Sequence, residues 1–390
     1  MKKSASWKVE KLGNLCEKIT DGTHVTPTYV SEGVPFLSVK NLTKGFIDFS
    51  DTRYISREEH EILTKRVRPE REDILYTKVG TTGIAKVVDV DEEFSIFVSV
   101  ALLKIKHDLI FNRYLEHFLN SPIAREQAQK RTRGMANKNL VINDIKEIEI
   151  HYPESLPEQQ RIVSLLDETF AGLAQVHANA ERNLVNAREV FEAAVEEIFS
   201  SLQDGLQELT IGEVCAEIFA GGDAPKDNYS EKRTEKYNIP IFANAVKDNG
   251  LYGFTDIARV TEPSITISAR GSGTGHTEIR NESYLPIVRL IVLIPKLSII
   301  TLEFLKYSIG NLEILRSGSA IPQLTVPMIK EYKIPVPPLE EQRAIVQRLD
   351  ALAAETSRLE AVYQSKLEAV EELRKSVLGK AFEGELSIDN

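Results

Sequence analysis

The sequence predicts two similar α/β (α+β) domains in tandem, separated and held by two long antiparallel coiled-coil helices. Three observations in the 390 residues support this fold class: an internal repeat, two long stretches without helix breakers, and short strand-like runs ahead of each stretch. The predicted domains are 1–152 and 204–337, and the predicted helical spacers are 153–203 and 338–390.

The repeat is clearest at LPEQQRIVSLLD (156–167) and LEEQRAIVQRLD (339–350), where seven of twelve positions are identical. The repeat begins much earlier in each half, since LGNLCEKITDG (12–22) is similar to IGEVCAEIFAG (211–221). A repeat of this length indicates two copies of one fold, related by an approximate two-fold pseudo-symmetry.

The first part of each half predicts β-strands. Short β-branched or aromatic runs such as FVSVALLKI (97–105) and SITIS (264–268) are bounded by Gly, Pro, Asn and Asp. Runs of this kind are typical of strands in a mixed α/β globule.

The stretches after Pro157 and Pro338 predict helices, because their apolar residues recur at alternating steps of three and four, as in a coiled-coil seam. Thr356 and Lys366 are polar members of the second seam, and a competing register through Leu349 and Leu367 stays open. Helices of this length exceed what one domain needs to close its core, so we expect them to pair with each other. The predicted helix–helix packing residues are Leu166, Phe170, Leu173, Leu184, Phe191, Ile198, Leu352, Leu359, Tyr363, Val370, Leu373 and Val377.

Two cysteines and the absence of a long apolar run limit the class of protein. They argue against a disulfide framework, a cysteine zinc site and a membrane span. The start MKKSASWKVEKLGNL has basic residues but no apolar run behind them, unlike a signal peptide. We therefore expect a cytoplasmic protein with no membrane partner.

The net charge of -10 is concentrated in the helical segments. Residues 153–203 carry 3 basic and 9 acidic residues, and 338–390 carry 7 and 11. The longer segments are close to neutral, with 24 basic and 22 acidic residues in 1–152 and 14 and 16 in 204–337. The average charge therefore does not exclude an anionic partner for the two domains.

Patterns typical of catalytic sites are missing from the sequence. GTTGIAK (80–86) has the wrong spacing for a phosphate-binding loop, and His60-Glu61 lacks the second histidine of HExxH. The glycine-rich RGSGTGH (270–276) leaves two interpretations open, a phosphate cradle of backbone amides or a plain loop. We expect no enzyme activity, no metal and no directly bound cofactor.

Two related domains on a helical spacer indicate recognition of an extended object at two places, and duplex DNA is such an object. The chain also resembles the specificity subunit of type I restriction-modification systems across essentially its whole length. The resemblance rests on the segment CEKITDGTHVTPTYVSEGVPFLSVKNL (16–42), the twin helix starts, GSAIPQL (318–324) and KAFEGEL (380–386). One departure is GMANKNL (134–140), where the second half has GSAIPQL.

The resemblance implies a non-catalytic subunit that reads a bipartite, asymmetric double-stranded DNA sequence, one domain per half. It further implies two modification (methyltransferase) subunits, each methylating an adenine at N6 after flipping it out, and restriction subunits in the same assembly. S-adenosylmethionine, ATP and Mg would then belong to partner subunits. The acidic helix positions at which we expect the modification subunits to dock are Glu181, Glu189, Glu192, Glu196 and Glu197.

Major-groove discrimination needs polar or basic side chains at base edges, so candidate DNA-binding residues are taken from loops at equivalent places in both halves. The run KRTRGMANK (130–138), with four basic residues in nine, also suits a phosphate grip. The candidates in the first half are Thr23, His24, Thr26, Lys40, Asn41, Lys78, Thr81, Thr82, Lys130, Arg131, Arg133, Lys138 and Asn139.

The second half offers polar residues at matching loops. For each of these, as for those in the first half, the alternative is a solvated surface loop. The candidates here are Asp223, Lys226, Asn244, Lys247, Arg270, Ser272, Thr274, His276, Ser319 and Gln323.

Two rival functions stay open. A two-headed protein-binding scaffold without DNA specificity would keep the helices and would agree with the charge of -10. A fused nuclease or methyltransferase is disfavoured by the missing motifs.

Overall fold

The computed structural model describes residues 6–134, 138–203, 206–271, 273–312 and 323–383. The chain divides into two compact units, the first made of Met1–Ala180 with Ser365–Asn390 and the second of Glu181–Gln364. Each unit therefore contains part of both long helices. The domain boundaries predicted above stay predictions.

The first unit has a main four-stranded antiparallel sheet in the order β2-β9-β6-β7, a second sheet in the order β3-β5-β4-β8, and a separate β1-β10 pair. Its elements are β1 (Trp7–Lys11), α1 (Leu12–Leu15), β2 (Cys16–Asp21), β3 (Tyr29–Val30), β4 (Val34–Leu37), β5 (Arg53–Ile55), α2 (Arg57–Thr64), β6 (Ile74–Thr77), β7 (Ala85–Val87), β8 (Ser95–Ile96), β9 (Val100–Ile105), α3 (Asn112–Asn120), α4 (Pro122–Arg131), α5 (Ile142–Lys146), β10 (Glu149–Pro153) and the first half of α6 (Leu156–Gln203).

The second unit has the sheets β12-β18-β15-β16 and β14-β13-β17 and the pair β11-β19. Its elements, after the end of α6, are β11 (Glu208–Thr210), α7 (Ile211–Val214), β12 (Cys215–Ala220), β13 (Ile239–Phe242), β14 (Leu251–Thr255), β15 (Ser264–Ile267), β16 (Thr277–Arg280), β17 (Leu285–Pro286), β18 (Ile291–Pro295), α8 (Leu302–Gly310), α9 (Val326–Glu331), β19 (Lys333–Pro335) and the start of α10 (Leu339–Phe382).

The two units share one topology, which confirms the predicted internal repeat and fold class. In the main sheets Ile74 pairs with Leu103 in the first unit, and Ile265 pairs with Leu293 at the matching position of the second. β4 runs parallel to β8 in the first unit, and β13 runs parallel to β17 in the second. Among the described residues, α2 has no helical counterpart in the second unit.

The inner strands β9 and β18 are largely apolar because both of their faces are covered, and Lys104 is the one charged residue of β9. In β9, Leu103 and Ile105 lie in the core that includes α3 and α6, whereas Val100 and Leu102 lie in a second core on the opposite face. A largely apolar run such as FVSVALLKI is typical of a strand that is covered on both faces.

In the first unit, the beginning of α6 packs against the end of α10. Leu166, Leu378 and Phe382 belong to one core, and the Arg374 guanidinium lies 5.3 Å from the centre of the Phe170 ring. The Phe382 ring also contacts Phe118 of α3, with ring centroids 5.1 Å apart. Phe382 comes from the described part of the KAFEGEL segment, and with Ala381 it places the end of α10 in the core.

In the second unit, the end of α6 packs against the beginning of α10. Ile198 and Leu202 share a core with Leu349, and Arg188 forms an ion pair with Glu360 at 2.5 Å. Partners of residues further along α6 lie earlier in α10, so within this unit the helices run antiparallel.

The seam of α6 agrees with its predicted stripe, since its members Leu166 to Ile198 are all buried or half-buried. The predicted stripe of α10 is wrong at Leu373, which is 50% exposed, and at Lys366, which is exposed. The competing register is used there, because Leu349 is buried and Leu367 half-buried. Beyond Leu367, Arg374 of α10 also contacts α6, and its guanidinium lies over the Phe170 ring. A charged residue at this position cannot be predicted from the apolar pattern of the sequence.

Candidate nucleic-acid interface

The loops that carry the predicted residues of the first unit meet at one end of its main sheet. β2 ends at Asp21 opposite Ala101, next to the start of β9, and β6 ends at Thr77 opposite Val100. Hydrogen bonds then join the segments, from Leu140 N to Lys78 O at 2.8 Å and from Val39 N to Ser99 Oγ at 3.1 Å. We call segments 22–28, 38–41, 78–84, 97–99 and 138–140 the first loop edge.

The second unit gathers the equivalent loops in the same way. Leu324 N donates to Ala269 O at 2.9 Å, as Leu140 N does to Lys78 O, and Gly221 N donates to Leu290 O at 2.8 Å. We call segments 221–226, 243–247, 268–271, 273–276, 287–290 and 323–324 the second loop edge. The predicted loop pairs are thus brought together in each unit.

Glycine closes both copies of the first repeat segment because the backbone passes too closely for a side chain. A Cβ atom on Gly22 would lie 2.0 Å from Ile96 O, and one on Gly221 would lie 2.7 Å from the Pro286 carbonyl carbon. Both contacts are with backbone, which cannot move aside easily. The two glycines therefore position the loops that follow them.

Most candidates at the first loop edge are exposed, but two are not, and for these the prediction of a DNA contact is wrong. Asn41 is 2% exposed; its amide donates to Asp48 O and Thr52 Oγ1 at 2.9 Å, and its carbonyl accepts from Ser38 N. Lys78 is 5% exposed and points inward to Asp21. Both side chains hold the loops in place instead of facing a ligand.

The buried pair Asp21–Lys78 is the electrostatic centre of the first loop edge. Lys78 Nζ lies 3.0 Å from Asp21 Oδ2, while Arg66 Nη2 and His24 Nε2 lie 3.1 and 3.2 Å from Asp21 Oδ1. Burial acts to raise the pKa of Asp21, but the hydrogen bonds and charges of Lys78 and His24 outweigh it and lower that pKa overall. Asp21 therefore anchors three basic side chains on one carboxylate.

In the second unit alanine replaces both members of this pair. By strand register Ala220 stands where Asp21 does, and by the shared hydrogen bond to Leu324 Ala269 stands where Lys78 does. Loss of both charges together avoids leaving one of them buried without a partner.

The basic run 130–138 lies beside the first loop edge and is already paired locally. Lys130 contacts Glu126 at 2.6 Å, Arg133 contacts Asp144 at 3.1 Å, and Arg131 donates to two backbone carbonyls. Exposed pairs of this kind are weak and can be exchanged for phosphate. Residues 135–137 of the run lie outside the described residues.

The remaining candidates of the first loop edge present polar groups at or near its surface. Thr23, Thr82 and Asn139 are half-buried, and Lys40 is exposed and paired with Asp51 at 3.0 Å. The fully exposed members are His24, Thr26, Thr81 and Lys138.

At the second loop edge, Asn244 organises the glycine-rich loop. Its amide donates to Arg270 O at 2.8 Å, and its carbonyl accepts from the backbone N–H groups of Ala269 and Arg270. The exposed Arg270 guanidinium donates to Gln323 Oε1 at 2.7 Å. The candidates Arg270 and Gln323 are therefore hydrogen-bonded to each other, and the candidate Asn244 holds the loop that carries Arg270.

The backbone amides of this loop are largely used within it. Thr274 N donates to Gly271 O, Gly275 N to Ser268 O and His276 N to Gly273 O. The interpretation of 270–276 as a phosphate cradle of amides is therefore not supported, because these three N–H groups are engaged.

The other candidates at the second loop edge differ in exposure. Asp223, Lys226 and Lys247 are exposed, whereas Thr274 and His276 are half-buried. His276 Nε2 lies 3.1 Å from Glu278 Oε1. Ser272 and Ser319 lie outside the described residues. Which candidates touch DNA stays a prediction.

Two buried glutamines have a structural role that the sequence analysis did not predict. Their recurrence at matching positions of the two copies could have indicated it. Gln159 and Gln342 are each 0% exposed at the start of a long helix. Gln159 accepts from Phe111 N at 2.7 Å and donates to Leu109 O and Pro153 O. Gln342 accepts from Thr301 N at 2.9 Å and donates to Ile299 O and Pro337 O.

About two helical turns further on, a repeated aspartate makes a second link. Asp167 contacts His117 Nε2 at 3.0 Å, and Asp350 accepts from the Tyr307 hydroxyl at 2.7 Å. In each unit, the glutamine and the aspartate together attach the domain to its long helix.

The acidic positions proposed for docking are exposed on α6 without exception: Glu181, Glu189, Glu192, Glu196 and Glu197. Over the described residues, no helix combines the length and apolar character needed to cross a bilayer.

The family model for the type I restriction modification DNA specificity domain matches residues 5–185 and 203–369. A protein of Mycoplasma pneumoniae named as a type I specificity subunit is 38% identical over 142 residues, which span 36% of this chain and 42% of that protein. A second such protein of the same organism is 25% identical over 349 residues, 88% of each chain.

A solved structure, described as the structural basis of complex assembly and conformational transition of the type I R-M system, superposes with a TM-score of 0.79. It is 22% identical and covers 97% of this chain and 98% of its own. At this identity the likeness supports the fold.

Proposed function

The chain belongs to the type I restriction-modification DNA specificity family, and we propose that its two units each read one half of a bipartite, asymmetric duplex target. The observation that carries this proposal is the convergence of polar loops at one edge of each unit. The shared topology supplies one scaffold, and the different loop residues supply two different readouts. The protein-binding scaffold without DNA specificity is not favoured.

The chain would act without catalysing a reaction itself. Two modification subunits would dock on the long helices, where the exposed acidic residues of α6 offer a charged face, and restriction subunits would join the same assembly. S-adenosylmethionine, ATP and Mg would bind those partners, and the adenine would be methylated by them after base flipping.

A domain exchange tests the two-reader proposal. Replacing residues 1–152 by the equivalent segment of another specificity subunit should change one half of the methylated target and leave the other half unchanged, because each unit has its own loop edge. The methylated motif is read by sequencing DNA from cells that carry the hybrid chain and its modification subunit.

Duplex binding by the wild-type chain with its modification subunit provides the control. Binding should be sequence-selective and should weaken steeply with salt, because phosphate contacts release counterions. Binding that does not depend on sequence or salt would favour the protein scaffold instead.

The paired helices would set the distance between the two half-sites. Inserting one heptad at facing positions of α6 and α10 keeps the seam in register and lengthens each helix by about 10 Å, close to three base-pair steps. The unspecified spacer in the methylated motif should grow by about three base pairs. The same heptad placed in the exposed loop 231–236 should leave the spacer unchanged, and an unchanged spacer in the helix variant would contradict the proposed role.

A further inference from the structure

The turn that leads into β18 has an unusual backbone. Val288 and Arg289 both adopt positive φ, at 49° and 62°. For residues with a side chain this conformation costs roughly 1 to 2 kcal/mol each, and it is especially unfavourable for a β-branched residue such as valine. Residues held in this way cluster at functional sites.

The surrounding backbone enforces the conformation of the turn. Val288 N donates to Gly222 O at 2.7 Å, Leu290 N donates to Ile287 O at 3.2 Å, and Gly221 passes close to Pro286. The turn is therefore clamped by the loop that follows β12, and these hydrogen bonds hold the backbone that carries the exposed Arg289 side chain.

The matching turn of the first unit is built differently. Ser99 stands where Arg289 does, is 6% exposed, and its hydroxyl accepts a hydrogen bond from Val39 N. Neither Val98 nor Ser99 has a positive φ. The first unit therefore uses this position to support a neighbouring loop, whereas the second unit exposes an arginine there.

Arg289 lies centrally in the second loop edge. β18 is an inner strand of the order β12-β18-β15-β16, so the turn before it lies between the loop that follows β12 and the glycine-rich loop that follows β15. Phosphate contacts fix the register of a protein on the duplex, and base-edge contacts carry the sequence information. We take the central position of Arg289 as the place of a base-edge contact.

The guanidinium of Arg289 differs from that of Arg270 at the same edge and from that of Arg259 in the loop before β15. Arg270 donates to Gln323, and Arg259 lies over the Phe219 ring at 4.3 Å. Arg289 makes no hydrogen bond, ion pair or ring contact with any residue that the structure describes. Its full set of donors is therefore available to a ligand.

We propose that Arg289 is a specificity-determining residue of the second unit, which reads the O6 and N7 edge of a guanine in the half-site of that unit. Arginine forms two parallel hydrogen bonds with this edge, and the clamped turn reduces the ordering needed on binding. This inference rests on the proposed function of the chain and adds one residue and one base to it.

The test compares Arg289→Ala and Arg289→Lys with the wild-type chain, each assembled with its modification subunits. We expect both variants to accept other bases at one guanine position of one half-site, with discrimination there reduced about 5- to 150-fold. Lysine keeps the charge but loses the two-pronged donor geometry, so it should not restore the wild-type preference. The readouts are the methylated motif and competition binding with duplexes changed at that position.

The control is Arg233→Ala, an exposed arginine that precedes β13 and lies outside the second loop edge; it should leave the motif unchanged. Two results would overturn the inference. One is an unchanged motif for Arg289→Ala. The other is that Arg289→Ala weakens binding equally on all DNA sequences, that Arg289→Lys restores the affinity, and that the slope of log K against log salt falls by about one. Those three results together indicate a phosphate contact. In both cases selective binding by the wild-type chain leaves the proposed function standing.

Discussion

Replacing Asp21 by alanine is expected to lower the free energy of unfolding of the first unit by about 3 to 5 kcal/mol. The variant leaves the ammonium of the buried Lys78 side chain without its carboxylate partner. Moving an unpaired charge out of water costs several kcal/mol, and among the described residues Lys78 pairs with no other carboxylate. Urea denaturation followed by fluorescence of Trp7, the single tryptophan of the chain, measures the change in the unit concerned.

The companion variant Lys78→Ala should be milder. It leaves Asp21 paired with the Arg66 guanidinium and in contact with His24 Nε2, on side chains that are 56% and 62% exposed. The double variant Asp21→Ala/Lys78→Ala should cost much less than the sum of the two single variants, because it removes both charges together, as Ala220 and Ala269 do in the second unit. Additive effects in this cycle would contradict the coupling.

Arg66→Ala is the matched control for the same carboxylate. Its exposed pair with Asp21 should contribute no more than about 1 kcal/mol, because solvent screens it. A loss as large as that of Asp21→Ala would mean that the surface arginine, and not the buried lysine, dominates the site.

Replacing Gln159 by leucine should destabilise the first unit by about 3 to 5 kcal/mol. The substitution keeps a similar volume but leaves Phe111 N, Leu109 O and Pro153 O without the partner that satisfied all three. Each buried polar group left unsatisfied costs about 1 to 3 kcal/mol. Trp7 pairs with Pro153 across β1 and β10, so its fluorescence reports directly on this junction.

The adjacent Gln160 offers a matched control, because it has the same side chain on the same helical turn and is exposed. Gln160→Leu should change stability by less than about 0.5 kcal/mol. Gln342→Leu should repeat the large effect in the second unit, where hydrogen exchange of α8 and α10 provides the readout. Equal effects of Gln159→Leu and Gln160→Leu would show that the buried hydrogen bonds contribute little.

The repeated glutamines show where sequence reasoning had a usable signal and did not use it. Gln159 and Gln342 recur at matched positions of the two helix starts. Only the structure shows that each glutamine also binds the segment before α3 or α8, where Phe111 and Thr301 lie 48 and 41 residues earlier in the chain. The recurrence of glutamine in both copies indicated that the position matters, and the hydrogen bonds of the structure show what the side chain does there.

Lys78 and Asn41 illustrate the opposite case. Their residue types and loop positions agree with base contacts, yet both face inward. Whether a polar loop residue binds a ligand or satisfies its own fold depends on a partner such as Asp21, which is 57 residues away in sequence. The joint change to Ala220 and Ala269 in the second copy is the one sequence signal that links the two positions.

By itself the sequence determined the duplication, the α/β character of each copy, the two long helices and the set of polar loops. These features can be predicted because periodicity, helix breakers and repeated segments are visible in short stretches of sequence. The tertiary structure alone decided which register α10 uses, which polar side chains are buried, and that Arg289 is held outward on a left-handed turn. These depend on contacts between segments far apart in sequence, where burial and a single opposite charge determine whether a polar residue stabilises the fold or faces solvent.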